Sequence, residues 1–259
     1  MKIRVCIPSY KRPTVETLRV YPSCAVYVDE DEAEEYREAN PGAEIVACPK
    51  GIQGNLCRVR NYILDKEFGN GADCVLLLDD DMQGVFRYDT EQGIHGMYGY
   101  AEKLLNEEHL HEFLDSAAVL CEEWGFKFFG VNCVLDPRAY DHFRPFKTNS
   151  YIGGPFQAFL PNPLRYDEGL PLKEDYDMTL QHLNEYRGAL RFDAYHYKCR
   201  QSKQAGGCAT YRNLKKEREQ FERLQKKWGG SLSGQTRRLN ELSTTTPYYI
   251  PLLRAFDER

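Results

Sequence analysis

Short apolar strands alternate with polar loops and helix-favouring segments through the first eighty residues, and this alternation constrains the fold more than any other feature of the sequence. The predicted strands are Ile3–Ile7, Ala25–Val28, Glu44–Ala47 and Cys74–Leu78. Helices are predicted at Ala33–Ala39 and Asn55–Phe68. Because a crossover between parallel strands needs an element that covers one face of the sheet, this order predicts an α/β sandwich with a mostly parallel sheet.

Polar residues follow three of these strands, at the point where each strand ends. They are Ser9–Arg12 after the first strand, Asp29–Glu32 after the second and Asp79–Asp81 after the fourth. In open α/β sheets, ligands bind beyond the carboxyl ends of the strands. The sequence therefore predicts a binding site at this edge of the sheet.

The rest of the chain continues the pattern as one domain. We predict helices at Ala101–Trp124, Leu172–Tyr186 and Tyr211–Trp228, strands at Lys127–Leu135 and Leu190–Tyr197, and a loop or strand at Thr148–Leu160. The tail from Ser231 contains many Ser and Thr residues and is expected to wrap the surface. Residues 1–198 are predicted to form the core, and residues 199–259 a basic helix and tail packed on it.

Composition excludes several classes of protein. With 259 residues, 42% hydrophobic and 28% charged, the chain is typical of a globular domain and not of a disordered or fibrous protein. No apolar run approaches the roughly 18 residues of a spanning helix, and the amino terminus has no secretory pattern, so we expect an unprocessed soluble protein without a membrane partner. Nine cysteines without a Cys-x-x-Cys pair favour a reducing compartment such as the cytoplasm.

The charge is unevenly distributed. The segment Lys198–Arg238 contains twelve Lys or Arg and three Glu, which gives it a formal charge of +9. Since the net charge of the whole chain is −5, the rest of the chain has a formal charge of −14. A basic region on an acidic body indicates an anionic partner. The alternative is a solvated helix face.

Three consecutive aspartates, Asp79, Asp80 and Asp81, follow the predicted strand Cys74–Leu78. Like charges at the end of a buried strand repel one another unless a cation or hydrogen-bond donors compensate them. Carboxylates at positions i and i+2 can converge on Mg²⁺ or Mn²⁺ while the same ion holds the phosphates of a nucleotide. This acid triplet is therefore either a divalent-cation site or a solvated acidic turn.

A second group of acids, Glu174-Asp175-Tyr176-Asp177, opens a predicted helix. The helix dipole favours carboxylates in the first turn, so capping alone could explain one of them. A general base would need its carboxylate to face the site, and Asp175 is the first candidate with Glu174 as the second. Catalysis and capping both remain open.

Two further positions are candidates. Gly153 and Gly154 supply backbone that can approach a ligand closely. His196, in the last predicted strand, is either a half-buried structural side chain or a third Mn²⁺ ligand beside carboxylates. The glycine motifs of P-loop and Rossmann dinucleotide sites, the nucleophile elbow and the H-E-x-x-H zinc motif are all missing from the sequence.

Taken in order, these motifs resemble those of GT-A glycosyltransferases of the broad family-2 type, over about Ile3–Lys198. The resemblance implies a Rossmann-like α/β/α sandwich, a nucleotide-sugar donor and a divalent cation, Mn²⁺ or Mg²⁺. It matches Asp79 and Asp81 to the D-x-D metal motif and strengthens His196 as a third ligand. It assigns donor binding to Pro8, Ser9, Tyr10, Arg12, Asp29, Arg58, Arg60, Asp80, Gly153 and Gly154, although which aspartate touches metal and which touches ribose stays open. It matches Glu174-Asp175 to the family's E-D base motif, which implies an inverting reaction with Asp175 as the base.

Within that superfamily the chain is most similar to the small TET-associated glycosyltransferases of phages. The similarity rests on the opening Ile7–Pro13, the motif Leu78–Met82, the lack of membrane segments and the basic region. It implies transfer of a sugar from a UDP-sugar to 5-hydroxymethylcytosine in DNA, in the cytoplasm of the host cell. Contacts to DNA are then expected from Arg200, Lys203, Arg212, Lys215 and Lys216.

Three other functions remain as alternatives. A glycosyltransferase acting on a glycan, lipid or protein would share the fold and donor chemistry. A nucleotidyltransferase would also place metal-binding acids at the end of a sheet, but its glycine-rich opening loop is missing. A catalytically silent nucleic-acid-binding protein fits poorly with the net acidity and the acid triplet. The sequence does not indicate an oligomeric state.

Overall fold

A computed structural model gives the fold of the chain and describes residues 1–89, 100–133, 140–200, 206–229, 233–238 and 241–245. Its strands are β1 (Ile3–Pro8), β2 (Ala25–Asp29), β3 (Glu44–Cys48), β4 (Cys74–Leu78), β5 (Met82–Asp89), β6 (Ala101–Leu104), β7 (Phe128–Asn132), β8 (Phe146–Lys147), β9 (Phe156–Phe159), β10 (Leu190–Cys199), β11 (Ser233–Arg238) and β12 (Glu241–Thr245). Its α-helices are α1 (Ala33–Ala39), α2 (Leu56–Gly69), α3 (Glu107–Glu123), α4 (Glu174–Tyr186) and α5 (Leu214–Trp228). The elements predicted for the first eighty residues are all present, with bounds shifted by at most one residue.

Ten strands form one sheet in the order β3-β2-β1-β4-β9-β7-β10-β5-β6, with β8 also paired to β10. The strands β1 to β4 are mutually parallel, and β5, β8 and β9 run opposite to the other seven strands. The predicted α/β class with a mostly parallel sheet is confirmed. Since β1 and β4 are parallel neighbours, the loop after β1 and the acid triplet after β4 lie side by side.

Helices cover both faces of the sheet. Side chains of β4 alternate between two cores, and all five residues of this strand are fully buried. Cys74, Leu76 and Leu78 pack in the core that includes residues of α1 and α3. Val75 and Leu77 pack in the core that includes residues of α2 and α4. The three layers make an α/β/α sandwich.

The predicted helix Ala101–Trp124 is wrong in its first turn and a half. Ala101–Leu104 forms β6, which pairs antiparallel with β5, a strand that the sequence did not reveal. The helix begins only after Asn106, whose side-chain oxygen accepts the backbone N–H of His109 at 2.8 Å. The sequence predicted a single helix here, but strand pairing forms β6 in its first part and the Asn106 cap sets the start of α3.

The carboxy-terminal region packs partly on the core through α5. Leu224 is buried with Leu170 and Leu180, and Trp228 donates to Asp177 Oδ1 at 2.8 Å. Of the tail that was expected to wrap the surface, the structure describes residues 233–238 and 241–245, where β11 and β12 pair antiparallel, and the other residues from Ser231 lie outside the described ranges. No helix in the described ranges has the length and apolarity to cross a bilayer.

Candidate functional site

A cavity of about 480 Å³ opens at the carboxyl ends of β1 and β4. The loop after β1 and the acid triplet form one wall, and Glu174 and Asp175 at the start of α4 line it as well. A further wall comes from residues 207–213, which include the 3₁₀ turn Gly207–Thr210. This volume lies within the range of roughly 300–1,000 Å³ found for small-molecule sites. The cavity therefore lies where the polar strand ends predicted a site.

The backbone of the acid triplet is fixed by Thr17, in the 3₁₀ turn Glu16–Arg19. Thr17 Oγ1 donates to the carbonyl of Asp79 at 2.6 Å and accepts from the N–H of Met82 at 3.0 Å. The N–H of Thr17 donates to the carbonyl of Asp80 at 3.3 Å. Since Thr17 is fully buried, these bonds fix the backbone from which the three carboxylates project.

Asp80 is engaged by two side chains of the loop after β1. Ser9 Oγ donates to Asp80 Oδ2 at 2.5 Å, and the guanidinium of Arg12 donates to Asp80 Oδ1. Burial raises the pKa of Asp80, while the positive charge of Arg12 opposes that shift. Because both oxygens of Asp80 already have partners, Asp79 and Asp81 are the members of the triplet with free capacity for a ligand.

Among the described residues Asp81 has no equally close counter-charge, since its carboxylate lies 4.0 Å from the nearest nitrogen of Arg12. Burial, followed by the charges of Asp79 and Asp80, raises the pKa of Asp81 to about 7. In the described part of the chain no three His, Cys, Asp or Glu side chains form a complete metal site. Mg²⁺ commonly takes only one or two protein carboxylates and completes its shell with substrate phosphates and water. Asp79 and Asp81 fit such a cation.

Arg60, on α2, joins the acid triplet to the start of α4. Its terminal nitrogens donate to Asp79 Oδ1 at 3.1 Å, Gly154 O at 3.0 Å, Gln157 Oε1 at 3.2 Å and Glu174 Oε1 at 3.3 Å. The side chain is only 1% exposed. Arg60 therefore fixes the two groups of acids relative to each other, and its buried charge is balanced by both.

Glu174 and Asp175 both line the cavity, but their surroundings differ. Burial and the charge of Asp175 raise the pKa of Glu174 to about 8, against the effects of Arg60 and then Arg212. Asp175 accepts the hydroxyl of Tyr151 at Oδ2 and the N–H of Tyr176 at Oδ1. Lys173 and not either acid is the N-cap of α4, but Asp175 accepts an N–H of the first helical turn, so these contacts fit both catalysis and stabilisation of the helix start.

The structure brings most of the predicted donor-binding residues to the cavity but not all of them. Those at the cavity are Pro8, Ser9, Tyr10, Arg12, Arg60, Asp80 and Gly154, together with Asp79 and Asp81. Asp29 and Arg58 do not line it. Asp29 accepts the N–H of Asp31, and Arg58 pairs with Glu168 at 3.1 Å and bonds the carbonyl of Gly51. Gly153 does not line the cavity either. A glycine is required there because a Cβ would lie 2.4 Å from the hydroxyl oxygen of Tyr197.

His196 does not join the acid triplet. It is fully buried, stacks on Phe86 and Tyr88, and places Nε2 3.0 Å from Glu102 Oε1. The register of β10 against β7 shifts between Phe192 and His196, so the regular alternation of faces does not hold along this part of the strand. We therefore leave His196 out of the proposed metal site.

Several cavity residues were not predicted as part of the site. Gln53 donates from Nε2 to the carbonyls of Ser9 at 3.4 Å and Tyr27 at 3.3 Å, next to the predicted loop. Residues 207–213 reach the cavity because the N–H of Gly207 donates to the carbonyl of Tyr10 at 2.9 Å. Gln53 stands in a polar loop directly before a predicted helix, which is a signal that could have found it. Nothing in the sequence links the distant segment 207–213 to the first loop.

The residues expected to contact DNA lie in different places. Arg212 lines the cavity, and Lys203 lies outside the described residues. Arg200 pairs with Glu16 at 2.8 Å. Lys215 and Lys216 are exposed in the first turn of α5, where Lys216 lies 5.6 Å from the ring centre of Tyr211. At the other end of the helix, Arg223 and Lys227 pair with Asp167 of the core.

Two solved structures illustrate what this chain is similar to in fold. Glucosyl-3-phosphoglycerate synthase from Mycobacterium tuberculosis, crystallised with Mn²⁺, UDP and glucosyl-3-phosphoglycerate, superposes with a TM-score of 0.50 at 12% identity, covering 95% of this chain and 87% of that one. Mannose-1-phosphate geranyltransferase from Thermus thermophilus gives a TM-score of 0.42 at 13% identity, covering 76% of each chain. The first likeness shows the GT-A fold of nucleotide-diphospho-sugar transferases. No curated protein matches the chain in sequence.

The sequence also matches a known family over most of its length. The model of the TET-Associated Glycosyltransferase family matches residues 4–207, which contain the loop after β1, the acid triplet and the start of α4. The match ends at the turn that closes the cavity. The chain therefore belongs to the TET-associated glycosyltransferase family.

Proposed function

We propose that this protein transfers a sugar from a nucleotide-sugar, with UDP as the first nucleotide to test, to the hydroxyl of 5-hydroxymethylcytosine in DNA, in a reaction that needs Mg²⁺ or Mn²⁺. The observation that carries the proposal is a single cavity lined by the acid triplet and by Glu174 and Asp175. A metal-dependent, inverting glycosyl transfer uses both groups at once, because one holds the diphosphate and the other takes a proton.

Asp79 and Asp81 are the proposed cation ligands. A bound divalent cation would neutralise the donor diphosphate and stabilise charge on the leaving group. The acid triplet is preorganised for a donor, because Thr17 fixes its backbone and Arg12 and Ser9 bind the carboxylate of Asp80. Preorganised groups of this kind need no rearrangement as charge develops, which is the largest single source of rate enhancement in many enzymes.

Asp175 is the proposed general base. It would accept the proton of the acceptor hydroxyl as that oxygen attacks the anomeric carbon, and attack from the face opposite the leaving group inverts the configuration. Tyr151 donates to Oδ2 of Asp175 and fixes the orientation of the carboxylate. Glu174 is held by Arg60, and burial beside Asp175 raises its pKa to about 8, so it is the weaker candidate at neutral pH.

DNA as the acceptor is supported by the family and by the exposed lysines at the start of α5, next to the cavity wall 207–213. A base modified within a duplex must be turned out of the stack, at a cost of a few kcal/mol. Phosphate contacts from Lys215 and Lys216 could offset part of that cost. The same carboxylates could serve a glycan, lipid or protein hydroxyl, so the acceptor needs a direct test.

Mass analysis of nucleosides tests the proposal. The purified protein is incubated with a panel of nucleotide sugars, Mg²⁺ or Mn²⁺, and a duplex that contains 5-hydroxymethylcytosine, and the DNA is then digested. We expect the modified nucleoside to gain the mass of one sugar residue, and a matched duplex with unmodified cytosine to gain none. Transfer to free sugars or lipids, with the DNA unchanged across the panel, would refute the DNA acceptor.

A further inference from the structure

Three arginines line the cavity, and two of them have their donors occupied by protein groups. Arg60 is buried and donates to four acceptors, so it has no terminal nitrogen left for a ligand. The guanidinium of Arg12 is bound to Asp80. Arg212 is different, because neither of its terminal nitrogens makes a hydrogen bond to any described residue, and its side chain is 40% exposed.

A buried carboxylate orients Arg212. Its Nε lies 3.0 Å from Glu217 Oε1, and Glu217 Oε2 accepts from Lys173 Nζ at 2.7 Å. The side chains of Glu217 and Lys173 are 4% and 8% exposed, so this carboxylate is shielded from water. Burying a carboxylate is costly unless it is well paired. Here the carboxylate of Glu217, on α5, connects Lys173 before α4 with Arg212 in the segment 207–213. With Nε next to Glu217, the two terminal nitrogens of the guanidinium have no hydrogen-bond partner among the described residues.

We propose that Arg212 binds a phosphate group within the cavity through its two terminal nitrogens. A planar guanidinium matches two oxygens of a phosphate, and Arg is favoured over Lys where such paired recognition matters. The cavity holds five carboxylates and three guanidinium groups, so a bound anion needs a cationic donor that the protein itself has not used. Arg212 is that donor among the cavity residues.

The phosphate has two possible sources, and the inference rests on the proposed function for both. One is the diphosphate of the donor, held also at the acid triplet. The other is a backbone phosphate of the acceptor DNA beside the modified base. Arg212 lines the same cavity as Glu174 and Asp175, where the acceptor hydroxyl would react.

Two binding measurements distinguish these sources. Arg212→Gln is compared with the parent for binding of UDP with Mg²⁺ by calorimetry, and for binding of a 5-hydroxymethylcytosine duplex without nucleotide by fluorescence anisotropy. Loss of a paired, charge-assisted contact should weaken binding about tenfold or more. A loss confined to UDP assigns the donor diphosphate, and a loss confined to the duplex assigns the DNA backbone. Arg212→Lys keeps the charge but not the planar fork, so it should recover only part of the loss.

Lys226→Gln is the matched control, since it removes one positive charge from an exposed position in the last turn of α5. It should bind both probes as the parent does. If Arg212→Gln is thermally unstable, the comparison is made with Arg212→Lys. Unchanged affinity for both probes in a folded Arg212 variant overturns the inference, even where the parent transfers sugar. A parent that transfers no sugar overturns the proposed function instead, because the two binding measurements do not depend on turnover.

Discussion

The three aspartates of the acid triplet have three different environments. Asp79 is bound on one oxygen by Arg60 and its side chain is 33% exposed. Asp80 is held by Ser9 and Arg12, and Asp81 is buried with no counter-charge closer than 4.0 Å in the part of the chain that the structure describes. The sequence predicts the triplet and its place at a strand end, because three adjacent acids after an apolar run are visible as such. It does not predict these separate roles, which depend on Ser9, Arg12 and Arg60 in distant segments.

Asp81→Asn should abolish sugar transfer and stabilise the metal-free fold. Because the native pKa of Asp81 is raised to about 7, its ionised form opposes folding above that pH, and removing the charge relieves this cost. We expect an increase on the order of 1–3 kcal/mol in unfolding free energy at pH 8, shrinking as the pH falls towards 4. Urea unfolding at several pH values in chelator measures it. Retained turnover would rule out the metal role, and a lower stability at pH 8 would contradict the electrostatic explanation.

Asp175→Asn should slow the chemical step by roughly 10²–10⁴, the usual contribution of a general base, and leave donor affinity unchanged. Single-turnover kinetics and nucleotide binding measure the two effects separately. Asp177→Asn is the matched control in the same helical turn, since Asp177 is fully buried and bonded to Gln181, Lys227 and Trp228. That variant should lose thermal stability with little change in the chemical step. A collapse of donor affinity in Asp175→Asn, or a retained anomeric configuration in the product, would reject Asp175 as an inverting base.

At the scale of elements, periodicity predicted the parallel half of the sheet well and its other half less well. β1 to β4 are fully visible because each is apolar and ends in a polar loop. In β10, Phe192 and Tyr195 both contact Phe113, although strict alternation would separate them. The register of β10 against β7 shifts between Phe192 and His196, and the sequence did not predict this irregularity.

His182, on α4, should make the fold sensitive to acid. It packs against Phe128 and Phe159, its Nδ1 is bonded to the carbonyl of Met178 at 3.0 Å, and burial lowers its pKa to about 4. The unfolded chain, with a histidine pKa near 6.5, binds more protons than the native state between these values, so stability falls as the pH drops from about 6.5 to 4. The total decrease in unfolding free energy over this pH range is about 3 kcal/mol.

Urea unfolding of the parent and of His182→Leu across this pH range measures the effect. The unfolding free energy of the parent minus that of the variant should decrease as the pH falls from about 6.5 to 4, because only the parent must release a proton on folding. His109→Gln, which changes an exposed histidine on α3, should follow the parent at every pH. A constant difference between the parent and His182→Leu would mean that His182 does not titrate in this range.

At the scale of the whole molecule, some of the positive charges of the basic carboxy-terminal region are paired with acids of the core. Arg223 and Lys227 of α5 pair with acids of the core, so the helix is not a uniformly basic surface. Lys215 and Lys216 stay exposed beside the cavity wall. The basic composition of this region could be predicted from the sequence. The position of residues 207–213 at the cavity could not, because it depends on a contact with the loop after β1.

Binding to DNA should therefore weaken with salt through a few contacts near the start of α5. Each neutralised phosphate contributes about −0.9 to the slope of log affinity against log salt, so Lys215→Glu with Lys216→Glu should flatten the slope by about 2. Anisotropy titrations with a duplex measure it, and hydrolysis of the donor should be unaffected. Lys226→Glu, at the far end of the helix, should leave the slope as in the parent. Equal slopes in all three proteins would mean that α5 only exposes a solvated basic face.

A crystal grown with Mn²⁺ and the nucleotide of the active donor tests most directly whether one cavity combines the metal and base chemistry. Anomalous scattering locates the manganese independently of the protein coordinates. We predict one anomalous peak at the carboxylates of Asp79 and Asp81, with the diphosphate beside it and Asp175 facing the anomeric position. Manganese and nucleotide bound away from the acid triplet, or a donor whose anomeric carbon faces away from Asp175, would contradict the proposed function.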